Sequence, residues 1–461
     1  MRSGLPLPSL TGDQPLYQQL YRHISAAIQS GQVAPGERLP SKRQLCATLG
    51  VSMSTVETAY AMLVSEGYVI SRPRSGYTAA RVVTLPAPQA RPLPAPPREE
   101  PPARVWRYQF STGAVDTSLF PFSSWARISK EAVYQNPELL QRGHGQGDEP
   151  LRRALSDFLA QYRGVRCTPE QIVVGAGTDY LLSLLLQLLP ECGQVALEDP
   201  GYPAVYAVAR RQGRQALPIP VDGDGMEPDA LERSGARLAY VTPSHQFPLG
   251  VTMPAPRRSR LLQWAAGEGR YLVEDDYDSE FRYASRPIPA MQGQDLHESV
   301  VYLGTLSRSI APSIRTAYMI LPRPLLHRYR QEFAAASCTV SRFEQEALRR
   351  FFVQGLYGRH LRRMGALYRK KCAILTQALA CIPGARLRGE QAGLHFLLTV
   401  PGHTEDELVR AAAAQGVRVH PLSQYCHSGA PPLPSTLVLG FAGLSEEELT
   451  RAAGLLRLAF S

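Results

Sequence analysis

A proline- and alanine-rich stretch near the N-terminus constrains the fold of this chain more than any other feature of its sequence. Residues 82–106, VVTLPAPQARPLPAPPREEPPARVW, have no apolar pattern from which a packed core could form. Segments of this composition favour extended polyproline conformations and act as semi-rigid spacers. The sequence therefore predicts three parts: a small head over residues 1–81, a linker over residues 82–106 and a large body over residues 107–461.

The head has the pattern of a winged helix-turn-helix. PLYQQLYRHISAAIQSG carries apolar residues at helical spacing, and Gly31 suits the end of that helix. In LPSKRQLCATLG, Ser41 is the expected N-cap of a second helix that ends at Gly50. A third helix follows, where Ser54 and Glu57 are placed for a capping box. YVISRPRSGYTAA then predicts a strand, a basic turn and a second strand, which completes the motif.

This head is chemically suited to double-stranded DNA. The start of the third helix would enter a major groove, while basic residues beside it would neutralise phosphates. The net charge of +10 permits nucleic-acid binding without proving it. The alternative interpretation is a three-helix protein-docking module with a solvated basic face. The expected groove contacts are Ser52, Met53, Ser54 and Thr55, and the expected phosphate contacts are Lys42, Arg43, Arg72 and Arg74.

The body alternates between apolar strand-like runs and helical patterns such as DYLLSLLLQLL and PRRSRLLQWAAGEG. This alternation predicts an α/β domain with a mostly parallel sheet. Ligands of such sheets bind beyond the carboxyl ends of the strands, where the polar motifs of this body fall. The expected strands are QIVVGA, QVALEDP, RLAYVTP, RYLVEDD and SVVYLGT.

Four polar motifs follow these strands, and each is ambiguous alone. The turn GAGTDYLL leaves free N–H groups at a helix start, which suits a phosphate but is also ordinary architecture. EDPGYPAVY places Tyr202 on a turn, and VTPSHQFPLG has the polar pair His245 and Gln246 in an apolar turn. YLVEDDYDSEF carries five acids after an apolar strand, which favours a functional site over solvated acids.

The head motifs PLYQQLYRHI, PGERLPSKRQLC, LGVSMSTVETAY and EGYVISRPRSG together resemble the GntR family of bacterial regulators. The body motifs, taken in order, resemble fold-type I aminotransferases, which use pyridoxal 5′-phosphate (PLP). Head and body together resemble the MocR/GabR subfamily, in which the aminotransferase-like domain is an effector sensor. The resemblance implies a multidomain protein that binds operator DNA as a homodimer. Met53 departs from the family, which usually has an arginine at that position.

The resemblance also implies a set of PLP contacts in the body. An ionised carboxylate keeps a pyridinium protonated, and arginine suits a phosphate through its planar fork. No metal is implied. The implied contacts are Gly177, Thr178, Ser307 and Arg315 at the phosphate, Tyr202 on the ring, Asp275 at the ring nitrogen, and Tyr277 at the ring hydroxyl with help from His245 or Gln246.

One position contradicts the enzyme that this pattern would otherwise predict. The stretch GTLSRSIAPSIR has Arg308 where the family expects the lysine that forms an imine with PLP. A guanidinium keeps its proton and its lone pairs are delocalised, so it cannot form that imine. Lys370 and Lys371 lie in a basic helical segment and are expected to face water, so they are no substitutes. The body is therefore expected to be catalytically inactive, and any PLP to be noncovalently bound.

Two further positions depart from the aminotransferase pattern. Val438 stands where an arginine would clamp a substrate carboxylate, and Arg142 replaces a tyrosine that reaches toward the partner subunit's phosphate. Three interpretations of the pocket stay open: noncovalent PLP or a related phosphate, with Arg308 as a further contact that pairs with its anion or aldehyde oxygen; a different small anionic effector; or a core that only holds the dimer. The rival function is a PLP-dependent aminotransferase with an accessory DNA-binding head.

Composition excludes several other classes of protein. No run of eighteen apolar residues occurs, which argues against a membrane span, and the N-terminus lacks the apolar segment of a secretory signal. The seven cysteines are scattered without a close pair, which argues against a disulfide framework or a zinc site. The expected location is the cytoplasm.

Overall fold

A computed structural model gives the fold in two compact units, Met1–Ala103 and Arg104–Ser461. Residues 83–104 lie outside the described residues, so the linker and its boundaries stay a prediction. Within the described part of the chain, no helix has the length and apolar character that crossing a membrane requires. The described residues are 14–72, 75–82, 105–283, 288–429 and 431–460.

The first unit contains three helices followed by an antiparallel hairpin, as the sequence predicts for a winged helix-turn-helix. Ser41 caps the second helix by accepting a hydrogen bond from the amide of Gln44, and Gly50 ends it with a φ of 64°. The elements are α1 (Leu16–Gln29), α2 (Lys42–Leu49), α3 (Met53–Ser65), β1 (Val69–Arg72) and β2 (Gly76–Ala79).

The predicted capping box of Ser54 and Glu57 is wrong. The N-cap of α3 is Ser52, whose Oγ accepts a hydrogen bond of 3.2 Å from the amide of Thr55. Glu57 instead forms an ion pair of 3.0 Å with Lys42 on α2. Both serines are suitable caps in sequence, and the turn that precedes the helix decides between them.

The second unit is built from helices and strands in alternation, with an eight-stranded sheet, a four-stranded sheet and a two-stranded sheet. Its helices are α4 (Phe122–Gln135), α5 (Glu149–Arg163), α6 (Thr178–Leu188), α7 (Pro203–Arg211), α8 (Pro228–Ser234), α9 (Ala255–Ala265), α10 (Arg323–Glu332), α11 (Arg342–Val353), α12 (Leu356–Leu379), α13 (Glu405–Ala414) and α14 (Glu446–Phe460). Its strands are β3 (Tyr108–Gln109), β4 (Ile172–Gly175), β5 (Gln194–Asp199), β6 (Gln215–Asp222), β7 (Gly225–Met226), β8 (Leu238–Val241), β9 (Tyr271–Asp276), β10 (Val300–Thr305), β11 (Ala317–Ile320), β12 (Arg386–Arg388), β13 (His395–Thr399), β14 (Val417–Arg418), β15 (His420–Pro421) and β16 (Thr436–Gly440).

The main sheet has eight strands in the order β4-β11-β10-β9-β8-β5-β6-β7. The five central strands, from β10 to β6, are parallel to one another. β11 runs antiparallel to both of its neighbours and separates β4 from β10. All five predicted strands are confirmed, but the sheet is mixed because β11, which the sequence reading did not single out, inserts against the parallel direction.

Helices cover both faces of this sheet, so its central strands are buried on both sides, as parallel sheets require. On one face the leucines of α6 pack against Val273 of β9 and Val301 of β10. On the other face Leu261 and Trp264 of α9 pack against the alternate residues of the same strands. Since side chains alternate along a strand, a continuous apolar run serves both layers. This packing fixes where each strand ends, and therefore where the polar motifs lie.

The smaller sheet has the order β12-β13-β16-β15 and packs with α12, α13 and α14. A separate parallel pair joins β3 to β14, so the first strand of the second unit is bonded to its C-terminal part. Val438 lies in β16 opposite Leu397 of β13 and is fully buried. An apolar residue there completes a layer of the core, with no charge to offer a ligand.

Candidate functional site

A cavity of about 210 Å³ lies where several strands of the main sheet end. It is formed by residues from separate parts of the sequence, since β4, β5, β8, β9 and β10 all end at this edge. Eight of the ten residues implied as ligand contacts line it, namely Gly177, Thr178, Tyr202, Asp275, Tyr277, Ser307, Arg308 and Arg315. The other lining residues are Gly113, Asp179, Thr242, Phe247, Thr305 and Pro312.

One end of the cavity is an anion cradle. Gly177 is the N-cap of α6 and has a φ of 104°, a backbone conformation that side chains rarely adopt. A Cβ added there would lie 2.5 Å from Nη2 of Arg315, so only glycine lets that guanidinium approach. Arg315 itself has a left-handed φ of 50° and its Nη2 is 3.5 Å from the carbonyl of Ala176. The N-terminus of α6 and this guanidinium together favour a phosphate.

The floor of the cavity carries a buried carboxyl with one unused oxygen. Asp275 accepts a hydrogen bond from the hydroxyl of Tyr240 through Oδ2, while Oδ1 is buried without a partner among the described residues. Burial raises the pKa of Asp275 to about 7, and the bond from Tyr240 opposes that shift. A ligand that brings an N–H group to Oδ1 would satisfy this atom.

Gln246 lies behind the cavity rather than on its wall. It is buried, and its Nε2 donates to the carbonyl of Pro200 at 3.0 Å and to Oε2 of Glu198 at 3.3 Å. Glu198 also accepts a hydrogen bond of 2.6 Å from Thr242, a lining residue. Burial raises the pKa of Glu198 to about 7. The sequence reading missed Glu198 because its partners Thr242 and Gln246 lie 44 and 48 residues away along the chain.

His245 also lies behind the wall, where it supports Tyr277. The hydroxyl of Tyr277 donates to the carbonyl of His245 at 2.8 Å and lies 3.1 Å from its Nδ1. Asp278 holds the same Nδ1 at 3.0 Å, and the pKa of His395 beside it is lowered to about 3 by burial and by His245. The potential ligand atoms of these three residues lie within 4.8 Å of one another, a group able to hold a metal ion. The sequence gave no signal for His395.

Aromatic side chains form another wall. Tyr202 remains 39% exposed, and its ring meets Phe247 edge-on at 5.4 Å between centroids. Phe247 in turn contacts Tyr425 at 5.1 Å, so the wall is backed by the segment before β16. Tyr202 is thus a partly exposed aromatic residue of the cavity wall, and aromatic rings stack favourably with flat ligands.

Arg308 follows β10 and reaches across the cavity. Its Nη1 donates a hydrogen bond to the backbone carbonyl of Thr112, which precedes the lining residue Gly113. The side chain is half-buried, and within the described ranges it forms no ion pair. A carbonyl orients a guanidinium without neutralising it, so the cavity keeps a full positive charge at this point.

The expectation that both Lys370 and Lys371 face water is wrong for one of them. Lys370 is exposed and pairs with Glu446 at 2.6 Å. Lys371 is buried, bonded to the carboxylate of Asp116 and, at 2.9 Å, to the carbonyl of Ala442. Neither lysine lines the cavity. Lys371 is committed to an internal ion pair and offers no free amine there.

The side chain of Arg142 is tied within its own chain. Its Nη2 donates to the backbone carbonyls of Ala335 and Ala336. Arg142 does not line the cavity with the phosphate cradle. Where the resemblance implies a tyrosine that reaches toward the partner subunit's phosphate, this chain has an arginine that fastens the segment before α11.

The residues expected to contact DNA lie on α2, α3 and the hairpin. Met53 is 41% exposed, and its sulfur lies 3.9 Å from Sγ of Cys46. The hydroxyl of Ser52 is bonded within its own helix, where it lies 2.9 Å from Oγ of Ser54 and 2.8 Å from Oγ1 of Thr55. Arg74 lies outside the described residues. The remaining expected contacts, Lys42, Arg43 and Arg72, lie at the surface.

Comparison with known proteins finds proteins that are similar to both units. Residues 16–78 match the family of bacterial regulatory proteins named gntR. The chain is 40% identical over 99% of both chains to the uncharacterized HTH-type transcriptional regulator YdeL of Bacillus subtilis. It is 35% identical to the probable rhizopine catabolism regulatory protein MocR of Rhizobium meliloti, over 97% of this chain and 94% of that protein.

The second unit is also similar to solved aminotransferases. One is LysN, the α-aminoadipate aminotransferase of Thermus thermophilus, in complex with N-(5′-phosphopyridoxyl)-L-leucine. It is 27% identical with a TM-score of 0.67, over 76% of this chain and 91% of that chain. The match confirms a fold-type I aminotransferase-like body.

Proposed function

The chain belongs to the MocR/GabR-type transcriptional regulators of the gntR family, and we propose that its body senses a phosphorylated pyridine such as PLP without bonding to it covalently. The winged head binds an operator in double-stranded DNA. A homodimer presents two heads to paired half-sites, and the protein acts in the cytoplasm, where its DNA lies. Ligand binding changes operator affinity to the extent that the ligand prefers one arrangement of the protein.

The observation that carries the ligand proposal is the gathering of distant motifs around one cavity. The cradle of Gly177 and Arg315 suits a phosphate, and the unused Oδ1 of Asp275 suits a protonated ring nitrogen. Tyr202, a partly exposed aromatic residue of the same wall, suits stacking on a flat ring. These residues fit the group that LysN holds, and a bound pyridoxal would there supply an electron sink.

Arg308 separates the proposed sensor from an aminotransferase. Transamination requires an amine that exchanges with the substrate's amine at the PLP aldehyde, and a guanidinium cannot do this. Lys371, one of the two lysines considered as a substitute amine, is held by Asp116 inside the core. The second candidate function is an aminotransferase with an accessory DNA-binding head, and neither Arg308 nor Lys371 supplies the amine that such an enzyme needs.

The proposal is tested by selecting duplexes from a randomised pool with the full-length protein and measuring affinity by fluorescence anisotropy, with and without PLP. We expect sequence-specific binding that weakens steeply with salt, and an affinity that changes when PLP is added. Arg43→Gln should weaken binding and reduce the salt slope by about one. Arg22→Gln, an equal loss of charge on α1, is the control. Binding without sequence preference would contradict the operator proposal.

A separate measurement tests the enzyme alternative. The full-length protein is incubated with PLP and a mixture of amino acids, and keto acid formation is followed together with absorbance near 420 nm. We expect no turnover, and no absorbance that survives dialysis, since Arg308 cannot form an imine. Arg308→Lys, which restores an amine, should retain PLP through dialysis. Sustained turnover by the unaltered protein would establish the enzyme reading instead.

A further inference from the structure

The cavity wall carries two guanidinium groups, and the charge of one of them, Arg308, acts on the carboxyl group of Asp275. Arg308 and Arg315 both line the cavity, and neither forms an ion pair with any residue that the structure describes. The buried arginines Arg152 and Arg258 also form no ion pair with a described residue, but backbone carbonyls accept hydrogen bonds from two and three of their side-chain nitrogens, respectively. Arg315 is exposed and Arg308 is half-buried, and a described carbonyl engages Arg308 at Nη1 alone, so its other donors can bind an anion that a ligand supplies.

These two charges serve different parts of a ligand. Arg315 lies against Gly177 at the N-terminus of α6, which already accounts for the phosphate. Arg308 follows β10, and the carbonyl of Thr112 accepts a hydrogen bond from its Nη1. Its Nε and Nη2 groups remain available because that contact engages only Nη1. The cavity therefore offers a ligand a second cation besides Arg315.

We propose that the ligand of this cavity carries a carboxylate facing Arg308 in addition to its phosphate, so that its class is a phosphorylated hydroxypyridine carboxylate. This inference rests on the proposed sensor function. Arg308 stands at the position from which a lysine would reach the aldehyde carbon of PLP. A carboxylate at that carbon presents two oxygens to a planar fork of N–H donors, the geometry in which arginine binds most strongly.

The rest of the cavity agrees with such a ligand. Asp275 offers its unused Oδ1 to a ring N–H, which keeps the ring's positive charge at the floor. The hydroxyl of Tyr277 donates to the carbonyl of His245, so its oxygen is left to accept from a ring hydroxyl. An amine in place of the carboxylate would put two cations together, and an aldehyde would accept a single, weaker hydrogen bond.

Three compounds that differ at one substituent test this proposal. PLP has a neutral aldehyde, pyridoxamine 5′-phosphate has a cationic amine, and the 4-carboxylate analogue of PLP has an anion. Isothermal titration of the full-length protein should give an affinity for the carboxylate at least about tenfold above that for the aldehyde, with the amine weakest. Arg308→Gln should bring the three affinities within about threefold, and Arg308→Lys should favour the aldehyde. Arg211→Gln, an exposed change of the same charge outside the cavity, should preserve the order.

The possible results separate this inference from the function on which it rests. Equal affinity for all three compounds, or tightest binding of the amine, would overturn the carboxylate assignment while leaving a phosphate-binding sensor in place. Binding of none of the three by protein that still recognises its selected duplex would overturn both the carboxylate assignment and the sensor. An unchanged order in Arg308→Gln would show that another group selects the substituent, and would overturn the role of Arg308.

Discussion

Replacing Lys371 by methionine should destabilise the second unit far more than the same change at Lys370. The ammonium of Lys371 is 1% exposed and is bonded to Asp116, whose side chain is 12% exposed, and to the carbonyl of Ala442. The neighbouring Lys370 is 64% exposed and pairs with Glu446 at the surface. The two lysines are adjacent on α12, so the comparison isolates burial from residue type.

The expected magnitude follows from what each change leaves behind. Methionine at position 371 fills a similar volume but leaves the Asp116 carboxylate and the Ala442 carbonyl without their donor. Breaking a buried pair by removing one partner costs about 3–5 kcal/mol, largely because the remaining charge stays uncompensated. An exposed pair such as that of Lys370 contributes about 0–1 kcal/mol. The two variants should therefore differ by about 2–5 kcal/mol.

Urea unfolding of the full-length variants, followed by the fluorescence of the second unit, measures this difference. The double variant Lys371→Met with Asp116→Asn should recover part of the loss, since no unpaired charge remains. Burial alone would raise the pKa of Asp116, but the hydrogen bonds from Lys371 and Ser118 lower it below its ordinary value. The pair therefore stabilises the fold above about pH 4 and loses this contribution as pH falls through the lowered pKa. Equal midpoints for Lys371→Met and Lys370→Met would refute the argument.

Three further predictions concern the cavity and the head. Gly177→Ala should lower PLP affinity about tenfold or more, because the added Cβ would displace the guanidinium of Arg315. The control is Gly193→Ala, which should leave the affinity unchanged because nothing lies within 4 Å of its added Cβ. Titration calorimetry measures both affinities. Burial raises the pKa of Asp275 to about 7, so the stability of the wild type relative to Asp275→Asn should fall as the pH rises from about 4 to about 7 and stay constant above that. Thermal melts at pH 5 and pH 8 measure this, and the same difference in melting temperature between the two proteins at both pH values would contradict it. Ser52→Ala removes the N-cap of α3 and should lower the free energy of unfolding of the head by about 1 kcal/mol. Circular dichroism of the helices during urea unfolding measures this, and an unchanged free energy of unfolding would contradict a stabilising role for the cap.

The fold was predictable wherever a local pattern carried the information. Apolar runs such as QVALEDP and SVVYLGT became β5 and β10 because a strand buried on both faces needs nothing but apolar residues. The direction of β11 was not predictable from AYMI alone, since hydrophobicity does not encode whether neighbouring strands run parallel.

The residues that line the cavity were predictable from the sequence, but the buried residues that support them were not. Asp275 lies near the end of β9 and Tyr277 follows that strand directly, and strand ends meet at one edge of a sheet. Glu198 lies near the end of β5 and His395 begins β13, and their supporting role shows only when partners from distant parts of the chain are placed beside them. Lys371 was misjudged for the same reason, because its partner Asp116 is 255 residues away in sequence.

The left-handed backbone at Arg315 has a consequence for any attempt to engineer this protein. A residue with a side chain costs on the order of 1–3 kcal/mol in such a conformation, and glycine avoids that penalty. A search for thermostable variants guided by torsion angles would therefore select glycine at position 315, and the more stable protein would lack one of the two parts of its anion cradle. At this position, a change that raises stability would lower affinity for the ligand.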